Sequence, residues 1–227
     1  MVVDSHESRL MPPLSAEPNL FPDDLWSPEH PVLGDPDRSW YCLHTKPRRE
    51  KVLARLLRSK GISHYLPLVK KVEHTPSGRR TESILPLFSS YLFLHGTREQ
   101  RLEALKGNNL VSVLEIADQA KLVKDLRQIH VMLTSGLEVL PEPSYPEGTR
   151  VRLLTGPLMG LIGVVHKRGR DHQFLAAVDF LGQGARVTLQ DWEVEPVEAA
   201  PAKLATSPAP ARRVFDVSER PRSTRGS

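Results

Sequence analysis

Pro86-Leu87-Phe88-Ser89-Ser90-Tyr91-Leu92-Phe93-Leu94 is the densest aromatic and aliphatic run in a chain with few aromatics. It reads as a turn over Pro86 to Ser90 followed by a strand over Tyr91 to His95. Alternation puts Tyr91, Phe93 and His95 on one face and Ser90, Leu92 and Leu94 on the other. Both faces are apolar, so the strand is not half-wet. Either it is a central core strand, or one face meets a partner.

Working outward from this run, the preceding chain has a regular plan. Trp40 to His44 is a first strand. Thr45 or Lys46 can cap a helix over Arg48 to Lys60, with Pro47 in its first turn. Val52, Leu53, Leu56 and Leu57 form its apolar stripe, and Gly61 ends it. His64 to Val69 is a second strand, placed at an edge or bulge by Pro67. Lys70 to Ser83 is a polar hairpin turning at Pro76-Ser77-Gly78, with Arg79 and Arg80 at its tip. After the opening strand come a helix over Arg98 to Lys106, a strand at Val111 to Leu114, and a helix capped by Asp118. The last helix carries Leu122, Val123, Leu126, Ile129, His130 and Leu133 at helical spacing and stops at Gly136. The expected fold is α+β, an antiparallel sheet with helices packed on it.

Beyond Pro141 the pattern changes. Residues 141–148 hold three prolines and read as a stiff linker. Short strands follow at Thr149 to Leu154, Leu161 to Lys167, Phe174 to Phe180 and Ala185 to Leu189. Turns separate them at Gly156-Pro157, Arg168-Gly169 and Gly182-Gln183-Gly184. Such spacing predicts a small all-β barrel. The expected division is an acidic, Pro-rich disordered extension over 1–38, an α/β domain over 39–140, a linker over 141–148, a barrel over 149–198 and a disordered basic tail over 199–227.

Charge is uneven. Residues 1–38 carry eight acids against two bases, and residues 39–140 carry seventeen bases against nine acids. A cationic block can sit beside phosphates, though an ordinary solvated surface has the same composition. The single cysteine, Cys42, excludes an internal disulfide and reads as a small buried hydrophobe. No apolar run reaches membrane-spanning length, and the N-terminus lacks signal-peptide layout, so a cytoplasmic protein is expected. The nine histidines are scattered. There is no zinc-type Cys/His cluster, no phosphate-binding glycine loop and no Gly-x-Ser-x-Gly elbow. The expected protein is a non-enzyme without metal or cofactor.

Residues 40–198 resemble the NusG family of transcription elongation factors. The first domain carries the resemblance in Trp40-Tyr41, in Thr45-Lys46-Pro47 followed by a helix with Glu50, in Tyr65-Leu66-Pro67, and in Pro86-Leu87-Phe88 before Tyr91-Leu92-Phe93. The second resembles a KOW barrel in Gly148-Thr149-Arg150-Val151-Arg152 and in Gly156-Pro157-Leu158-Met159-Gly160-Leu161-Ile162-Gly163-Val164-Val165. Two departures stand out: Ser89-Ser90 replaces the family's usual Pro-Gly or Pro-Asn, and Leu158 replaces its usual Phe. Together the long tails and basic first helix suggest a specialised, RfaH-like relative.

The resemblance implies a monomer whose first domain docks on the clamp of the largest RNA polymerase subunit and suppresses pausing or termination. It implies a polymerase-binding patch of Tyr91, Phe93, Phe88 and Tyr41. Lys46, Arg48, Arg49, Arg79 and Arg80 would face upstream DNA or the displaced non-template strand through backbone contacts. The barrel would recruit Rho or a small-subunit ribosomal protein through Phe180 to Gly184, with Leu181 as anchor beside Phe180, Leu158 and Met159. The competing expectation is a ribosome- or RNA-associated KOW protein acting in translation.

Overall fold

The structure, a computed structural model, describes residues 18–27, 30, 35–74, 78–143, 148–168, 171–189 and 193–197. The basic tail, most of the acidic extension, Ser144 to Glu147, Gly169 and the Pro76-Ser77 tip lie outside the described residues.

In chain order the first part comprises β1 (Leu20–Phe21), β2 (Ser39–Thr45), α1 (Glu50–Ser59), β3 (His64–Tyr65), β4 (Leu68–His74), β5 (Arg80–Pro86), β6 (Tyr91–Gly96), α2 (Arg98–Leu105), β7 (Leu110–Glu115) and α3 (Gln119–Thr134). A five-stranded sheet has the order β1-β3-β6-β2-β7, so the strand opened by Tyr91 is central. Its pairings with β2 and β3 are antiparallel. Leu92 and Leu94 enter a core with Leu53, Ala54 and Leu57 of α1. Phe93 enters a separate core on the other face. Both faces of β6 are therefore covered, as the doubly apolar pattern requires.

Several local expectations need correction. The helix starts at Glu50, because Arg48 has φ +63°, a left-handed backbone that cannot continue a helix. Neither Thr45 nor Lys46 caps it: Thr45 belongs to β2, and Arg49 precedes the helix without a side-chain cap. The buried stripe of α1 is Glu50, Leu53, Ala54 and Leu57, while Val52 is exposed. The single strand expected over His64 to Val69 is two. Pro67 lies between β3, which stays in the sheet, and β4, which leaves to pair with β5 as a two-stranded hairpin.

Other expectations hold. The side chain of Asp118 accepts from Lys121 N–H at 2.9 Å, capping α3. The next residue, Gln119, accepts from Trp40 N–H at 2.7 Å and donates to Trp40 carbonyl at 3.1 Å, fastening the start of α3 to β2. Cys42 is buried, and burial pushes its thiol pKa up.

The second part comprises β8 (Leu140–Glu142), β9 (Thr149–Leu153), β10 (Ile162–Arg168), β11 (Asp171–Val178), a 3-10 turn (Asp179–Leu181), β12 (Gln183–Thr188) and β13 (Val194–Pro196). They form one antiparallel sheet ordered β13-β9-β10-β11-β12-β8. Pro141 and Glu142, expected in the linker, are in β8 and pair with Ala185 and Gly184 of β12. As a sheet edge, this strand tolerates a residue without an N–H. Gly163 shows why β10 needs glycine: a Cβ there would run into the Leu175 carbonyl and the Phe174 ring. Val151, Leu153, Leu158, Phe174 and Val187 of this β domain join one continuous core with Leu122, Val123, Leu126, Ile129 and Met132 of α3.

Candidate functional site

The four residues expected to form one aromatic patch do not share one surface. Phe93 is 0% and Phe88 1% exposed, and their rings meet edge-to-face at 6.1 Å. Tyr91 is half-buried and stacks on His44, centroid to centroid at 5.1 Å. Burial raises its phenol pKa. Tyr41 belongs to the opposite face. It pairs with Leu94 in the β2–β6 register, and directly paired residues project to the same side. There it packs with the α1 core, under the Arg101 guanidinium at 5.3 Å. The surface component on the Phe93 side is thus the Tyr91–His44 pair, and His44 was missed in the sequence. Strand alternation could have found it, since Trp40, Cys42 and His44 share a face that excludes Tyr41.

The turn that presents Tyr91 is fixed from α1. Ser90 has φ +67°, the conformation that Gly and Asn favour, and Ser89-Ser90 stands where the family usually has Pro-Gly or Pro-Asn. Two hydrogen bonds hold it. Ser90 N–H donates to Glu50 Oε1 at 2.7 Å, and its carbonyl accepts from Thr45 N–H at 2.8 Å. Glu50 is itself buried, so the motif glutamate serves as an internal acceptor.

Cations gather where α1 begins. Lys46 Nζ donates to Asn108 Oδ1 at 2.7 Å. Arg48 and Arg49 are exposed. Arg48, Lys51, Lys70 and Lys71 line a groove of about 510 Å³ whose apolar walls include Ile84 and Leu85. Arg79 and Arg80 lie at the other end of the hairpin, where Arg80 pairs with Glu82 at 2.7 Å. Lys70 also bridges Glu82, at 2.6 Å, and its hydrogen bond leads the effects that lower the Glu82 pKa. The five expected nucleic-acid contacts therefore form two groups, and acids offset part of the hairpin's charge.

The loop expected to hold the second partner rests against α3. Asp179 N–H donates to Asp125 Oδ2 at 3.1 Å, and the Asp179 carboxylate pairs with Lys121 at 2.6 Å. Ile162 N–H donates to Gln128 Oε1 at 3.0 Å. Burial, and secondarily the Asp179 charge, raises the Asp125 pKa to about 6; the Asp179 N–H, Lys121 and Lys124 pull the other way. Phe180 and Leu181 are half-buried against the shared core, and Leu158 is fully buried, so its expected surface role does not fit this arrangement. Met159, 70% exposed, projects from the Gly-Pro turn.

The acidic extension, expected to be disordered throughout, is structured over 18–27. Leu25 is fully buried, and Trp26 stacks parallel to Trp40 with centroids 5.4 Å apart. The signal was present in the apolar pairs Leu20-Phe21 and Leu25-Trp26, set in an otherwise polar, Pro-rich segment.

Among the described residues, no group of three or more His, Cys, Asp or Glu side chains is arranged to hold a metal ion. No described helix is long and apolar enough to cross a membrane. The described residues thus build an α/β sandwich with an aromatic face and a cationic rim, followed by a β sheet that rests against its last helix. Residues 38–138 match the family model described as "Transcription termination factor nusG". Among solved structures, the chain is similar to the one titled "Domain interaction in Thermotoga maritima NusG". That match is 16% identical and covers 71% of this chain and 98% of that one, with a TM-score of 0.39. No curated protein matches the chain.

Proposed function

We propose that the protein is a transcription elongation or antitermination factor that binds RNA polymerase through its first domain. In this reading the domain docks on the clamp of the largest subunit, beside upstream DNA, bridges the cleft and suppresses pausing or termination. It acts by binding rather than by catalysis. The observation that carries the reading is the match of residues 38–138 to the NusG family model, with the Tyr91–His44 pair at the edge of a buried aromatic face. Phe88 and Phe93 support Tyr91 from within, and Tyr41 braces the other side of the sheet. Lys46, Arg48 and Arg49 contact DNA phosphates on one side of the domain, and Arg79 and Arg80 do so from the hairpin.

The β domain supplies the second contact, to Rho or a small-subunit ribosomal protein, through Phe180 to Gly184 and Met159. With this loop against α3, that contact requires the β domain to leave the helix.

The test is capture of core RNA polymerase by the tagged full chain. Polymerase should be retained, and Tyr91→Ala should weaken retention at least about tenfold, the scale of an interface anchor. Charge reversal at Arg48 and Arg49 should weaken association with elongation complexes most at low salt. Capture of 30S subunits without polymerase would overturn the reading.

A further inference from the structure

Residues 18–27 lie outside the segment that matches the NusG family, yet they are seated on that domain. We propose that this segment is a strap that braces α3 and, through α3, sets how firmly the β domain is held.

The strap binds by shape more than by hydrogen bonding. Its strand, β1, pairs with β3 through only two residue pairs, Leu20 with Tyr65 and Phe21 with His64. Asn19 carbonyl adds one bond, accepting from Leu66 N–H at 2.6 Å. A turn then follows, with Leu25 N–H donating to Pro22 carbonyl and Ser27 N–H to Asp24 carbonyl. That turn drops Leu25 and Trp26 onto the sheet.

Trp26 touches three elements at once. It stacks on Trp40 of β2, meets Tyr65 of β3 edge-to-face at 5.4 Å, and lies 6.3 Å from the His130 ring of α3. The Arg127 guanidinium of α3 sits over its ring at 5.8 Å, within cation–π range. Trp26 Nε1, Tyr65 Oη and His130 Nδ1 are buried without protein hydrogen-bond partners. Ring contact and burial therefore hold the seat.

Helix geometry gives these contacts their consequence. At about 100° per residue, Lys121, Asp125 and Gln128 lie on one flank of α3, and Arg127 and His130 lie on the other. The first three hold the β domain; the last two meet Trp26. Between the flanks, Leu122, Leu126 and Ile129 belong to the shared core. The helix is gripped from both sides. Removing the strap frees one flank and lets α3 shift in a direction that opens its contacts with the β domain. The inference concerns the chain alone and does not depend on polymerase binding.

Amide hydrogen exchange in the full chain tests it, because Asp179 and Ile162 N–H groups donate directly to α3 side chains. Amides of central strand β6 report global opening. In Trp26→Ala, exchange at Asp179 and Ile162 should rise about tenfold more than in β6. Arg127→Ala leaves the core intact and should give the same pattern at roughly two- to threefold, as befits one cation–π contact. An equal rise at all sites in both variants would make Trp26 a core residue only. No rise at Asp179 and Ile162 in Arg127→Ala would also overturn the proposal, even if Trp26→Ala fails to fold.

Discussion

Glu50 and Ser90 are forty residues apart in sequence and are joined by a 2.7 Å hydrogen bond from the Ser90 amide to the Glu50 carboxylate. The bond ties the first turn of α1 to the turn that launches the central strand. It explains how a serine occupies a left-handed position without glycine.

Glu50→Ala should leave the Ser90 amide unpaired in a part-buried setting and cost about 1–3 kcal/mol. Glu50→Gln keeps an acceptor and should cost less. Denaturant unfolding of the two variants measures the difference, and equal losses would mean that the bond contributes nothing specific.

Tyr91 and Phe93 should separate binding from folding. Phe93→Ala empties a fully buried site and should destabilise the chain by about 3–5 kcal/mol. Tyr91→Ala, at a half-buried position, should lose less stability and more polymerase binding. Thermal unfolding and polymerase capture, run on both variants, give the two readings. The reverse ranking would place the contact elsewhere.

Gly163→Ala should destabilise the β domain by about 1–3 kcal/mol, because the added methyl meets backbone of β11 that cannot rotate away. Unchanged melting of the full chain would show that β10 and β11 can separate at no cost.

Docking of the β domain should weaken as pH rises from about 4 to about 6. The Asp125 pKa is about 6 in the docked structure, above its ordinary 3.8. A raised carboxyl pKa favours the docked state fully below the ordinary value, and the benefit is lost as pH climbs through the raised one. His130, whose pKa burial lowers, acts in the opposite sense, since the buried ring resists protonation. Asp125→Asn retains an acceptor for the Asp179 amide and removes the titration. Chemical shifts of the Asp179 amide across the pH range, compared between wild type and this variant, isolate the carboxyl. Identical profiles would refute it.

The parts of the fold legible in sequence are those set by local patterns. The two apolar faces of Tyr91 to His95 narrow that run to a central strand or one covered by a partner, and the sheet order makes it central. Asp118 reads as a cap, and the hairpin over residues 70–83 is visible as a turn between polar arms. What escaped depends on contacts distant in sequence. Nothing local to Asp125 or Gln128 shows that a β domain will lie against them. Leu25 and Trp26 carry too little periodicity to outweigh the prolines and acids around them, and their place is set by Trp40 and Tyr65. Pro141 looked like linker because proline breaks ladders, but an edge strand needs hydrogen bonds on one side only. The candidate site was legible as residue types and less so as a surface. Strand parity decides that Tyr91 and His44 meet while Tyr41 faces away.

Strand β8 has one further consequence. It follows α3 after only residues 135–139, yet it is stitched to β12. The hinge between the two bodies is then five residues, at most about 18 Å when fully extended. A tether that short keeps the local concentration of the β domain beside α3 in the millimolar range or above. Dilution cannot separate them, and a competitor for either surface must outbid a neighbour that never diffuses away.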